Sequence, residues 1–250
     1  MVAGSRNLSL GWMVCLVFLG SSVCADVDKS QATAKEKAEE RARMVQWIAD
    51  AYSLTDEKVL QAMQNVPRHR FVPQTASYLA YADHPLPIGY GQTISQPFMV
   101  AYMTKMLELD PDHRVLEVGT GSGYQAAVLA ELTEHVYTME IIEPLGVAAK
   151  QRLESLGYTK VRVKLADGYY GWQEHAPFDA IIVTAAAGHI PSPLLAQLKR
   201  GGRIVIPVGP VHQVQTLILV TKDMQGKVRT RSLMPVRFVP MTGAVQQSGQ

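Results

Sequence analysis

The chain has 250 residues, enough for one well-buried domain or at most two small ones. Apolar residues make up 47% and charged residues 18%, which excludes the disordered class. Its 24 basic and 22 acidic side chains leave a formal charge of +2 with no long basic block, so charge gives no case for nucleic-acid binding.

Both cysteines, Cys15 and Cys24, fall within a stretch patterned as a secretion signal. Arg6 is its sole early charge, residues 8–20 are almost continuously apolar, and Val23-Cys24-Ala25 offers small residues for cleavage before Asp26. The apolar run is shorter and more glycine-interrupted than the about 20 residues a membrane span needs. The expectation is a signal peptide over residues 1–25, cleaved after Ala25, and an exported, periplasmic mature chain with no stable membrane association and no cysteine. An uncleaved anchor and a mis-called start codon are the alternatives.

Residues 26–40 are polar and alanine-rich and read as a linker running into a helix. Met44, Trp47, Ile48 and Ala51 then recur at helical spacing. Thr55 is expected to cap a second helix with Val59, Ala62, Met63 and Val66 as its buried stripe and Pro67 at its end. Residues 71–95 are loop-rich, punctuated by Pro73, Pro85, Pro87, Gly89 and Gly91. A connection this long inside a compact domain is usually functional. Pro97 suits the first turn of a helix continued by Phe98, Ala101, Tyr102, Met106 and Leu109.

A regular alternation follows. Strands are expected at 114–119, 135–141, 161–166, 179–184 and 203–208, with helices at 124–132, 144–156 and 193–199. Apolar strands alternating with helices imply a parallel sheet covered on both faces. The runs at 214–221 and 227–240 have no helix between them and should pair as an antiparallel edge. No internal repeat is present, and residues 41–250 read as a single domain.

The first of these strands runs into Glu117-Val118-Gly119-Thr120-Gly121-Ser122-Gly123-Tyr124. A strand, a glycine turn and a helix start let backbone approach a ligand closely. The spacing is G-x-G-x-G, unlike the G-x-G-x-x-G that cradles a dinucleotide pyrophosphate. Glu140, about 20 residues on, ends the next strand, where a carboxylate can accept from both ribose hydroxyls. Asp167-Gly168 ends the third, where an acid or nearby backbone can meet an adenine edge. Each feature alone has an ordinary structural reading. The ordered set, completed by Phe178-Asp179-Ala180-Ile181, points to an S-adenosylmethionine-dependent methyltransferase.

The acceptor is narrowed by what is missing. Enzymes that methylate base amino groups carry Asn/Asp-Pro-Pro-aromatic after the fourth strand. Here that run is Val183-Thr184-Ala185-Ala186-Ala187. The seven histidines are scattered without metal-ligand spacing, so no metal site is expected. The loop Gly89-Tyr90-Gly91-Gln92-Thr93-Ile94-Ser95-Gln96-Pro97 holds amides and hydroxyls but no general base. A carboxylate acceptor, with a pKa of about 3.9, needs none. Ser95 could steer one carboxylate oxygen, or simply cap the helix that starts at Pro97.

These residues resemble the protein-L-isoaspartate O-methyltransferase family. The matching pieces are Val66-Pro67-Arg68, Arg70-Phe71-Val72-Pro73, Leu86-Pro87-Ile88-Gly89, the near-diagnostic Gly91-Gln92-Thr93-Ile94-Ser95-Gln96-Pro97, the glycine loop, Pro177 with the 178–186 strand, and Val236-Arg237-Phe238-Val239-Pro240. The resemblance implies an α/β fold: a doubly wound, Rossmann-like class I methyltransferase with a mostly parallel seven-stranded sheet, antiparallel C-terminal strands and extra N-terminal helices. It implies methylation of the α-carboxylate of isoaspartyl residues in damaged proteins, initiating repair through a succinimide. Ser95 would take the active-site serine position. Gln92, Thr93, Ile94, Val236, Phe238, Val239 and Pro240 would line the peptide groove. Glu117, Gly119, Thr120, Gly121, Ser122, Glu140, Asp167 and Gly168 would hold S-adenosyl-L-methionine. The expected partners are isoaspartyl proteins and peptides, with no nucleic acid, and the expected state is a monomer. The family's usual location is cytoplasmic, so an export segment is a departure. A non-catalytic binder of exported proteins that kept the fold is the alternative from another class.

Overall fold

The computed structural model describes Met1 and residues 21–210 and 213–244, with side chains from residue 33 onward. The export segment expected over 1–25 falls mostly outside the described residues. Chain contacts divide the molecule into Met1–Lys37 and Ala38–Gln250, and the fold described here is that of the second unit. Among the described residues no helix is long and apolar enough to cross a membrane.

Helix α1 (Ser21–Tyr52) takes in the residues expected to form a linker. Residues 26–40 contain neither proline nor glycine and are rich in Ala, Lys and Glu, so helix propensity overrides their polarity. Helix α2 (Glu57–Asn65) is capped by Asp56, not Thr55. The Asp56 carboxylate accepts from the Val59 amide at 3.1 Å and adds a negative charge at the positive end of the helix dipole. The stretch read as loop contains 3-10 turns at Arg68–Phe71 and Gln74–Leu79 and a hairpin, β1 (Leu86–Gly89) with β2 (Gln92–Ile94). Tyr90 and Gly91 turn that hairpin with φ of 52° and 70°, the pattern of a type I′ turn, which matches strand twist. Helix α3 (Pro97–Leu107) starts on Pro97 and stops at Glu108, whose left-handed φ of 50° leaves Leu109 beyond it.

The seven-stranded sheet consists of β3 (Arg114–Val118), β4 (His135–Glu140), β5 (Arg162–Leu165), β6 (Phe178–Val183), β7 (Leu198–Val208), β8 (Gln215–Lys222) and β9 (Val228–Val236). Its order is β5-β4-β3-β6-β7-β8-β9. The first five of these are mutually parallel, and β8 is antiparallel to both β7 and β9, as the helix-free C-terminal runs imply. Helices α4 (Tyr124–Ala130), α5 (Glu143–Ser155) and α6 (Ser192–Gln197) make the crossovers. β7 begins five residues earlier than expected: Leu198 pairs with Phe178, then the register skips to Arg203 against Ala180.

Alternation along β3 and β6 feeds two cores. Val115, Ala180 and Ile182 face one layer, and Leu116, Val118, Ile181 and Val183 face the other. The chain moves outward to β4 and β5 on one side of β3 and to β6 and β7 on the other, so a crevice opens where the order reverses. The carboxyl ends of β3, β4 and β6 all meet there.

Candidate active site

Beyond β3 the chain must turn sharply into α4, and Gly119 (φ 100°), Gly121 (φ 52°) and Gly123 (φ 87°) make that turn. The Gly119 and Thr120 amides donate to the Met139 carbonyl of β4 at 2.9 and 3.1 Å, which pins the loop to its neighbour. A Cβ on Gly119 would sit 2.5 Å from Thr184 Oγ1. The Thr184 hydroxyl itself donates to the Gly119 carbonyl at 2.7 Å. The loop therefore packs against the tip of β6 with no room for a side chain.

Glu140, at the end of β4, accepts from the Gly121 amide at 2.8 Å and from the Ile142 amide at 2.9 Å. Its carboxylate is thus fixed at the mouth of a cleft of about 560 Å³ that Gly119, Gly121, Gly168 and Thr184 also line. Glu117 is wholly buried and points to the opposite face of β3 from Leu116 and Val118. One of its oxygens accepts from Thr138 Oγ1 at 2.6 Å, and Thr138 is in turn 2.6 Å from Thr120 Oγ1. Its Oε1 has no partner among the described residues. Burial pushes the Glu117 carboxyl up to about 8; the Thr138 hydrogen bond opposes this, and the nearby Glu140 charge adds to it. Glu117, Thr120, Ser122 and Ser95 share a small pocket under the loop, where Ser122 Oγ accepts from the Tyr124 amide at 3.3 Å.

Asp167 departs from expectation. Its oxygens accept from the Tyr169 amide at 2.9 Å and the Ala244 amide at 2.7 Å, so the carboxylate ties down the C-terminal segment. The neighbouring Gly168, not Asp167, lines the cleft. Of the pair, it is the Gly168 backbone that faces the cleft directly.

The acceptor side is assembled from distant pieces. Ser95 lies between β2 and α3, but the N-cap of α3 is Gln96, which makes no side-chain cap bond. The capping acceptor comes from elsewhere: Asp83 accepts from the Phe98 amide at 2.8 Å, from Gln96 Nε2 at 2.8 Å and from the Tyr52 hydroxyl at 2.9 Å. Tyr52 also stacks on Phe98 with ring centroids 3.6 Å apart. Ser95 is thereby relieved of capping. It lines a groove of about 1200 Å³ together with Tyr52, Thr93, Val236, Arg237, Phe238 and Val239. Thr93, Thr184 and Val239 line this groove and the cleft at Glu140 alike, so the two spaces meet.

Three residues expected in the peptide groove lie elsewhere. Gln92 and Pro240 line the cleft beside Glu140 instead. Ile94 is only 3% exposed and packs in the core, because period-two alternation in β2 turns it inward when Thr93 turns outward. Sequence reasoning also missed Tyr52, Asp83, Thr184 and the pair Ile141-Ile142. Ile141 carried a signal, an apolar residue just past a strand tip, and it stays 41% exposed at the cleft. Asp83 carried none. Among the described residues no group of three or more His, Cys, Asp or Glu is placed to hold a metal ion.

The profile of the family described as Protein-L-isoaspartate(D-aspartate) O-methyltransferase matches residues 39–246. Protein-L-isoaspartate O-methyltransferase 2 of Polaromonas sp. is 62% identical over 188 residues, covering 75% of this chain and 89% of that relative. Protein-L-isoaspartate O-methyltransferase of Opitutus terrae is 57% identical over 208 residues, covering 83% and 89%. Among solved structures, a protein-L-isoaspartate O-methyltransferase is similar with a TM-score of 0.74 at 30% identity, over 82% of this chain and 67% of that one. A second, from Plasmodium falciparum in complex with S-adenosyl-L-homocysteine, shares the fold with a TM-score of 0.71 at 24% identity, over 81% and 98%.

Proposed function

We propose, from the premise that this chain belongs to the protein-L-isoaspartate(D-aspartate) O-methyltransferase family, that its two meeting clefts hold donor and acceptor on either side of Ser95 and Thr93. The chain is an S-adenosylmethionine-dependent methyltransferase of isoaspartyl carboxylates, an enzyme that initiates protein repair. What is proposed is which residues perform that reaction.

The donor cleft suits its cofactor on three counts. The unpartnered Glu117 Oε1 is a buried acceptor matched to a cationic amino group. The bare Cα of Gly119 allows backbone to approach closely. Glu140, held by two amides, keeps lone pairs for ribose hydroxyls, while Ile141 and Ile142 offer an apolar wall to a purine. S-adenosylmethionine, when bound, supplies an electrophilic sulfonium methyl group.

On the acceptor side the chain's task is orientation. An isoaspartyl α-carboxylate is already ionised at neutral pH, so no residue must remove a proton. Ser95 donates its hydroxyl hydrogen to one carboxylate oxygen and leaves the other free to react. Thr93, at the junction of the clefts, bounds the approach. Arg237 contributes a positive charge to the groove that receives an anion. Positioning of this kind supplies about 7–11 kcal/mol in favourable cases. The resulting methyl ester can lose methanol when the neighbouring backbone nitrogen attacks its carbonyl carbon, and this permits the succinimide closure that a carboxylate resists.

The observation that carries this reading is the release of Ser95 from capping by Asp83, beside a groove that opens onto the donor cleft. Ser95→Ala is expected to lower kcat roughly tenfold to a hundredfold on an isoaspartyl peptide, with cofactor affinity unchanged by calorimetry. An unchanged kcat would remove Ser95 from the mechanism. Loss of cofactor binding would make its role structural.

The cleavable export segment over 1–25, the single catalytic domain over 41–250, the monomeric state and the absence of nucleic-acid binding are part of the same proposal. N-terminal sequencing of the mature chain from the periplasmic fraction tests the first. A sequence starting at Asp26 is expected, and a start at Met1 in the cytoplasm would overturn it.

A further inference from the structure

Beside the acceptor groove lies a second groove, of about 1020 Å³, between α1 and the 3-10 turn Gln74–Leu79. Its walls include Trp47, Tyr78, Tyr81 and Asp83. Trp47 is 49% exposed and Tyr78 75% exposed. A single exposed ring needs no explanation, whereas rings that line one groove form an apolar patch of the sort that recruits partners.

The groove is continuous with the acceptor site. Trp47 packs edge-on against Tyr52 with ring centroids 5.4 Å apart, and Tyr52 stacks on Phe98 at 3.6 Å. Tyr52 and Phe98 are walls of the acceptor groove, and Asp83 joins the two spaces by binding the Tyr52 hydroxyl and Gln96 while lining the outer one. Each ring-to-ring step is shorter than two residues of extended chain, so a polypeptide in the acceptor groove reaches the outer one within a few residues. Glu40 and Arg43 carry opposite charges, and the third charged wall, Asp83, is engaged by Tyr52, Gln96 and the Phe98 amide, so no single sign of charge dominates the groove.

We propose that this groove is an outer subsite for the substrate polypeptide, taking an apolar or aromatic side chain within a few residues of the isoaspartyl linkage. The inference rests on the acceptor-groove reading above and extends it to the flanking sequence. Large rigid rings such as Trp47 and Tyr78 supply contact area at low entropic cost, which is why they dominate binding hot spots. The enzyme would therefore methylate isoaspartyl sites flanked by apolar residues, as in unfolded segments with exposed core sequence, at lower substrate concentration than sites in polar loops.

The test compares Trp47→Ala and Tyr78→Ala with the full-length wild type on three isoaspartyl peptides. One is a short peptide of about five residues, and the other two extend it by about four residues containing a phenylalanine, on the N-terminal or the C-terminal side. Both variants remove exposed rings, and thermal unfolding checks that the fold is kept. The expected result is a KM about five- to tenfold higher for one of the extended peptides, with kcat and the short-peptide KM unchanged. Equal KM values for wild type and variants on both extended peptides would overturn the subsite, as would an equal rise on the short one. A shift in sedimentation without a shift in KM would assign the groove to a second copy of the chain and overturn it too. Full turnover of the short peptide by Ser95→Ala would instead sink the acceptor-groove reading, whatever the Trp47 variant does.

Discussion

The cleft for which we propose the donor and the groove for which we propose the acceptor, the two halves of the site, are built by opposite strategies. The donor half consists of strand tips: Gly119 and Gly121 after β3, Glu140 at the end of β4, Gly168 after β5 and Thr184 after β6. Each residue is where it is because a parallel strand ends there, and the sheet's hydrogen bonds hold it. The acceptor half has no such scaffold. The start of α3, just after Ser95, is tied by Asp83 to Tyr52, Gln96 and the Phe98 amide, which join a loop, the end of α1 and α3, and the far wall of the groove is the C-terminal stretch after β9. A rigid frame suits a ligand that is always the same. A seam of several segments suits an acceptor whose flanking sequence changes from one damaged protein to the next.

If this contrast is right, substitutions should separate the two halves. The largest effect is expected from Gly119→Ala. The new Cβ would meet Thr184 Oγ1 at 2.5 Å in a backbone conformation that L side chains resist, and Thr184 is held by its own hydrogen bonds. Cofactor affinity should fall about a hundredfold by calorimetry, and the overpacking should lower the unfolding free energy by about 1–3 kcal/mol. An unchanged affinity would show that no ligand approaches this backbone closely.

Asp83→Ala should do the reverse. Removing one carboxylate takes away three hydrogen bonds at the start of α3, so unfolding free energy should fall by about 1–2 kcal/mol and kcat by about tenfold, with cofactor affinity unchanged. Asp83→Asn, which can still accept from the Phe98 amide, should restore most of the stability. Equal loss of cofactor binding and turnover would erase the proposed division.

The last effect is read in pH dependence and concerns Glu117, the carboxylate buried under the glycine loop. Its proton is held up to about 8 in the folded protein but only to about 4.3 in the unfolded chain. The folded state then binds more protons in that interval, so this group favours folding at low pH and the advantage fades as pH rises through about 8. Glu117→Gln removes the titration. The difference in Tm, variant minus wild type, should therefore grow between about pH 5 and about pH 9 in the ligand-free protein. A difference that stays flat would mean that Glu117 ionises as an ordinary carboxylate.

The donor half was legible in the sequence because its signals are local. The glycine spacing, Glu140 and Gly168 each follow an apolar strand run, and strand ends in a parallel sheet converge at the reversal of strand order. Asp167 has a second task that its position in the sequence did not show, since its carboxylate accepts from the Tyr169 and Ala244 amides and ties down the C-terminal segment. The hairpin at 86–94 was hidden because Pro85, Pro87 and two glycines read as loop, whereas two residues with positive φ were making a turn. Ile94 went to the core for want of a correct strand register.

Periodicity, turn chemistry and the G-x-G-x-G spacing determined the α/β alternation, the antiparallel C-terminal strands and the donor residues. These depend on interactions over a few residues, which a linear chain displays. Only the tertiary structure decided that Asp83 caps α3, that Tyr52 and Phe98 stack across the groove, and that Ser95 lines the groove without capping the helix. Those contacts join residues 15 to 46 positions apart, and their pairing is set by how α1, the hairpin and α3 pack together, which no local pattern encodes.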